Sequence, residues 1–215
     1  GWAGRTPEGF VLALKLPREA THERRLVGAE EVTAEFFARA RELGEKLGPV
    51  LVQLGPDFQP GEMGALRRFL PLLPRDLRVA VEFRSHKWVD RRVLPGLLSL
   101  LAEHGVALAL SDGPWIPRPI LLALAERPTA GFHYVRWMGP DRSIVDHSQL
   151  QADRAAEERE WAATLWRAAA GGTEVFGYTS NYWAGHAPAS ARALQRLLGQ
   201  PVVEPGELGE QTSLF

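Results

Sequence analysis

The sequence predicts an α/β fold built on a parallel sheet, and three observations carry that prediction. Short runs of aliphatic and aromatic residues alternate with longer stretches of helical spacing, six times over. Several of these runs are almost uninterrupted in apolar residues, as in Val50-Leu51-Val52 and Val106-Ala107-Leu108-Ala109-Leu110. That is the pattern of strands buried on both faces, not of a half-exposed sheet. At 215 residues and 45% hydrophobic content, the chain can also bury a full core.

In chain order, the predicted strands are 10–15, 50–54, 78–83, 106–110, 132–136 and 174–178. Helices are predicted near 30–47, 62–72, 90–104, 117–126, 153–170 and 188–199. The stretch 153–170 gathers Trp161, Ala162, Leu165, Ala168 and Ala169 on one face, with Trp166 at its edge. Pro188 suits the first turn of the last helix, and Leu194, Leu197 and Leu198 share one of its sides. Gly48, Gly105 and Gly199 each follow a helical run, where a left-handed C-terminal cap is expected. Six βα units fit either a doubly wound open sheet or most of an eight-unit barrel. The segment 201–215, rich in Pro, Gly and Glu, reads as an extended tail to a single domain over 1–200.

Composition excludes several function classes. Lys and Arg number 25 against 26 Asp and Glu, so no global field draws the protein to nucleic acid or membrane, and any electrostatic site is a local patch. With no cysteine there is no disulfide, thiolate nucleophile or Cys-ligated metal. No apolar run reaches the roughly 20 residues that span a bilayer, and the N-terminus lacks a signal-peptide pattern, so a cytoplasmic protein without a membrane partner is expected. The chain opens Gly1-Trp2-Ala3 without an initiator Met, which reads as a fragment. There is no Gly-rich phosphate loop and no GxSxG elbow, which disfavours nucleotide-dependent redox and serine-hydrolase chemistry.

The candidate site comes from where each strand stops, because parallel α/β folds place function at the C-terminal strand ends. The apolar runs end on Lys15 with nearby His22, Gln53, Glu82 with Arg84 and His86, Asp112, Arg136 and Asn181. Lys15, Arg84 and Arg136 suit a phosphate or carboxylate. Glu82 and Asp112 are candidates for an acid/base pair, and His22 for a proton carrier. Two carboxylates are also hard donors for a divalent metal, but His22, His86, His104, His133, His147 and His186 show no HxH or HExxH spacing. No metal ligand is assigned and no cofactor is named. His104 reads as a helix-end dipole partner. Alternatively, barrel interiors hold Arg–Glu and Lys–Glu pairs that only close the core. Trp88, Trp115 and Trp137 near the strand ends are either aromatic walls for a ligand or plugs of the barrel top.

Several of these residues stand in a recognisable order. Lys15-Leu16-Pro17-Arg18 precedes Thr21-His22, Leu51-Val52-Gln53 precedes Pro56 and Phe58, and Glu82-Phe83-Arg84 precedes Trp88. Tyr134-Val135-Arg136 with Gly139 follows, and then Asn181, Gly185 and Ala187. This set, spanning about 10–198, resembles the bacterial and archaeal family of proteins of unknown function typified by YecE. The resemblance implies a TIM-type (β/α) barrel with about six of eight units here, the N-terminal ones missing. It implies distant similarity to metal-dependent barrel nucleases and sugar-phosphate isomerases, and nucleic-acid binding as a suggested role. Met138 and Ser180 depart from the family pattern, so only Arg136 and Asn181 carry over there.

The C-terminal Gln211-Thr212-Ser213-Leu214-Phe215 is similar to the peptide with which bacterial repair and replication proteins dock on the DNA sliding clamp. Gln211, Leu214 and Phe215 are its candidate anchors; the other reading is a tail folded back on its own barrel. Three functions follow: an enzyme acting on a phosphate-bearing substrate, a non-catalytic nucleic-acid-binding module, and a small-molecule enzyme or sensor.

Overall fold

The computed structural model describes residues 2–207, Trp2 by its backbone alone. Six parallel strands, β1 (Leu12–Lys15), β2 (Leu47–Gln53), β3 (Val79–Glu82), β4 (Ala107–Asp112), β5 (Phe132–Trp137) and β6 (Glu174–Thr179), form one sheet in sequential order. The helices are α1 (Trp2–Arg5), α2 (Glu30–Arg41), α3 (Met63–Phe69), α4 (Leu94–Glu103), α5 (Arg118–Ala125), α6 (Ala155–Ala170), α7 (Asn181–Ala184) and α8 (Ala187–Leu197). The result is an α/β fold in which the sheet curls into a half-barrel with alternating helices. Among the described residues β1 and β6 are edges, each paired on one side only. Their burial shows it: both are half-covered, whereas β3 is buried throughout.

The curl is visible in side chains that meet across it. Arg78, just before β3, forms an ion pair with Glu174 of β6, Nε to Oε2 2.9 Å, and covers the Phe176 ring. Three strand spacings along a flat sheet would separate them by about 14 Å. The outer face is filled by Val50, Val52, Val79 and Val81 against Phe37, Leu66, Phe69 and Leu101, and by Leu110, Val135 and Trp137 against Leu121, Trp161 and Leu165. On the inner face Ala80, Ala107 and Ala109 leave room for Phe132, Tyr134, Phe176 and Tyr178, small residues opposite large ones.

All six predicted strands form, and the predicted helices form with shifted ends. The stretch 30–47 stops as a helix at Arg41, because β2 already begins at Leu47. Gly105 and Gly199 take the expected positive φ, at 65° and 64°. Gly48 does not cap; it lies inside β2, where an added Cβ would come within 2.4 Å of Val11 Cγ1, and Gly44 takes the left-handed position instead. On α6 Trp161, Ala162 and Leu165 are buried, but Ala169 is exposed and Trp166 half-exposed. Up to Glu207 the tail is not free of the body: Glu204 pairs with Arg192 and Arg196 of α8. Gln211, Leu214 and Phe215 lie outside the described residues.

Gly139 follows β5 with φ 83°, and an added Cβ would lie 2.0 Å from Tyr182 O. This close approach seats the β5 loop on α7. Gly139→Ala is expected to lower stability by about 1–3 kcal/mol from backbone strain alone; urea unfolding with an unchanged midpoint would contradict it.

Candidate functional site

The curl brings Gln53, Glu82, Ser111 and Arg136, from four consecutive strands, to one layer at the C-terminal end of the inner face. Register sets this up: Gln53 pairs with Glu82, Ser111 with Arg136, and Arg136 with Tyr178. Glu82 is fully buried. Its Oε1 accepts from Arg84 Nε at 2.5 Å; its Oε2 accepts from Arg136 Nη1 at 2.6 Å and from Ser111 Oγ at 2.8 Å. Gln53 Oε1 accepts from Arg84 Nη2 at 2.9 Å and Arg136 Nη1 at 3.3 Å. Burial pushes the Glu82 carboxyl up, but the Arg136 and Arg84 guanidiniums outweigh it and hold the group below the ordinary value. Glu82 is therefore an ionised anchor that fixes two arginines.

Both arginines have donors to spare. A guanidinium carries five N–H groups. Among the described residues Arg84 Nη1 and Arg136 Nε and Nη2 make no hydrogen bond to protein. Trp115 lies with its ring 4.3 Å from the Arg84 guanidinium carbon, a stacking contact that orients the plane. On the edge strand Lys15 is exposed and likewise unpaired among the described residues. Lys15, Arg84 and Arg136 against Glu82 leave two positive charges in excess.

His22 lies in a π-turn (Glu19–Glu23) after β1. Its Nδ1 is 2.8 Å from Thr21 Oγ1, which donates to Pro17 O at 3.2 Å. Burial, then Arg18, Lys15 and Arg84, lower the imidazole's pKa, and Asp57 partly offsets them. The turn is followed by two residues with positive φ, Arg25 at 49° and Leu26 at 66°. Arg25 clamps this loop to the β2–α3 loop by bonds to Asp57 and to both Glu62 oxygens. A Cβ at Gly55 would lie 2.4 Å from Asp57 Oδ1 and 3.5 Å from His22 Cδ2, so glycine keeps that seat open.

Four predicted residues are not brought into the cluster. Asp112 lies on the opposite face from its neighbour Ser111, because successive strand residues alternate. There it accepts from Trp161 Nε1 at 2.7 Å and Arg118 Nε at 2.6 Å, tying β4 to α5 and α6. The expected Glu82–Asp112 acid/base pair is thus divided by the sheet. Trp88 was expected as a ligand wall; it is fully buried, donates Nε1–H to Phe58 O and packs against Phe58 and Phe83. Trp137 is also buried, edge-on to Trp161. Asn181 Oδ1 accepts from Ala187 N at 2.8 Å, closing the turn between α7 and α8.

Three contributors escaped the strand-end reading: Ser111, Arg25 and Tyr178. Tyr178 stacks on Tyr134 at 4.7 Å beside Arg136, and burial raises both phenols, Tyr134 to about 12, so they stay neutral donors. Ser111 was legible only as the residue before Asp112. A cavity of about 470 Å³ beyond Trp115 contains Arg118 and Arg154, but Asp112 and Glu157 already pair with them. Among the described residues no three His, Cys, Asp or Glu side chains gather as metal ligands, and no helix is long and apolar enough to cross a membrane.

Residues 1–212 match the family model described as "Protein of unknown function DUF72". The UPF0759 protein YecE of Escherichia coli K12 is 31% identical over 83 residues, 39% of this chain, and the match covers only 30% of that relative's length. YecE of Escherichia coli O157:H7 matches to the same extent. A crystal structure of a DUF72 family protein from Enterococcus faecalis V583 superimposes with TM-score 0.76 at 19% identity, over 99% of this chain and 82% of that one. A DUF72 family protein from Thermotoga maritima MSB8 gives TM-score 0.62 at 22% identity, over 92% and 76%.

Proposed function

The chain belongs to the DUF72 family of proteins of unknown function, and from that premise we propose that it binds a phosphate-bearing ligand in the strand-end cluster, nucleic acid being the ligand class. The carrying observation is the pair of guanidiniums, Arg84 and Arg136, held in place by the buried Glu82 with donors unspent. A carboxylate under two arginines costs them part of their charge but sets their geometry, and planar forks bind phosphate oxygens in pairs. Lys15 adds charge from the neighbouring strand, and Gln53 and Ser111 complete the support. The sequential strand order supports reading the sheet as an arc of a TIM-type barrel, whose sites lie at this end. The peptide containing Gln211, Leu214 and Phe215 supports, by sequence alone, a role near the DNA sliding clamp. A small phosphate ester is the second reading, favoured by the net charge of −1.

The test is fluorescence polarisation with labelled single-stranded, duplex and abasic-site DNA at two salt concentrations. Binding is expected to be salt-sensitive. Arg136→Lys, which keeps the charge and loses the fork, is expected to weaken it about tenfold or more, as for a lost charged hydrogen bond. Binding that ignores both Arg136→Lys and Arg84→Ala would remove the cluster from the interaction. Calorimetric binding of a sugar phosphate, with no DNA binding, would favour the second reading.

A further inference from the structure

We propose that His22 is the proton-exchanging group of this pocket: Thr21 commits its Nδ1–H, and Nε2 takes up a proton when an oxyanion binds beside Lys15 and Arg84. The inference rests on the anion-binding reading and adds a proton to it.

The tautomer follows from counting hydrogens. The Thr21 hydroxyl has one proton, and we assign it to Pro17 O, 3.2 Å away, which can only accept. The same oxygen can then only accept from His22 Nδ1, 2.8 Å away, so that nitrogen carries the hydrogen. Nε2 is left as the ring's acceptor, without a hydrogen bond to protein among the described residues. The ring is held by the π-turn, the clamp of Arg25 on Asp57 and Glu62, and the open seat at Gly55. A helix with i→i+5 bonding and two consecutive left-handed residues is a strained arrangement, and such strain concentrates where a side chain must be aimed.

The charges facing His22 come from every element around it: Arg18 on its own loop, Lys15 at the end of β1, Arg84 after β3 and Asp57 after β2. Burial and then the three cations disfavour the protonated imidazole, and Asp57 partly offsets them. An oxyanion placed among the cations cancels their field, so Nε2 accepts a proton from solvent and donates it back to an oxygen of the ligand. Atoms and charge balance: the proton comes from bulk solvent and its buffer, a fraction of one proton per anion bound, largest at a pH between the imidazole's free and bound pKa values. By reciprocity, protonated His22 binds the anion more tightly.

Sulfate is the probe, because it does not titrate in the range used. In the wild-type chain its affinity is expected to be about tenfold higher near about pH 5.5 than near about pH 8, the size of a one-unit rise in the imidazole pKa. His22→Gln is expected to make the affinity flat with pH. In the 15N-histidine-labelled protein, long-range 1H–15N spectra identify the His22 signals as those lost in His22→Gln. They are expected to show the Nδ1–H tautomer, to mix in Thr21→Val, and to recover in Thr21→Ser. An Nε2–H tautomer in the free wild-type protein, or a pH dependence that survives in His22→Gln, overturns the proposal. Sulfate binding that is flat with pH in the wild-type protein overturns it while leaving the anion pocket standing; no sulfate binding overturns both.

Discussion

Glu82→Ala is expected to lower the unfolding free energy by about 3–5 kcal/mol, the usual cost of removing one partner from a buried ion pair. For a chain of this length that is roughly 6–20 °C in melting temperature. The residue is fully buried and accepts from Arg84, Arg136 and Ser111. Its removal leaves two guanidiniums close together with only Gln53 between them. Glu82→Gln keeps the shape and isolates the charge. The folded carboxyl sits below its ordinary value of 4.5, so its contribution is full above about that pH and is lost as pH falls through the lowered folded value. The gap between wild type and Glu82→Gln should therefore be wide at neutral pH and narrow in acid. Sulfate should restore Glu82→Gln more than it stabilises the wild-type chain, since it replaces the missing negative charge. Denaturant titrations at three pH values check all of this; a gap that widens in acid would mean that Glu82 is held protonated.

Asp112→Ala is expected to cost about 2–4 kcal/mol, from the buried Trp161 N–H left without an acceptor and the loss of Arg118's nearest partner. Glu157 and Glu160, at 3.8 and 3.9 Å from Arg118, soften the second loss. Asp112→Asn retains an acceptor for Trp161 and should cost less. Because Asp112 faces α5 and α6, neither change should alter sulfate affinity by more than about twofold, the size of small additive effects between separate sites. A tenfold change in sulfate binding with stability intact would return Asp112 to the pocket.

The strands were legible because central strands of a parallel sheet are apolar on both faces, and Val50-Leu51-Val52 or Val79-Ala80-Val81 show that without any tertiary information. The capping glycines were legible in part: Gly105 and Gly199 stand at helix ends, while Gly48 is a glycine because Val11 approaches it, a contact between strands. Which of the two offered roles each tryptophan near a strand end takes was not legible. Trp88 and Trp115 follow their strands and Trp137 ends its own, yet one is in the core, one stacks on Arg84 and one faces the helices.

The βα alternation, the apolar strand centres and the kinds of polar residue at their ends are readable without coordinates, because they are local and periodic properties of the chain. The tertiary structure alone decided which of those polar residues meet. Side chains alternate along a strand, so a register set by pairing turned Ser111 toward Glu82 and Asp112 toward Trp161, though they are neighbours. The curl of the sheet then carried Arg136 across a whole strand to Glu82, a contact that no spacing in the chain encodes.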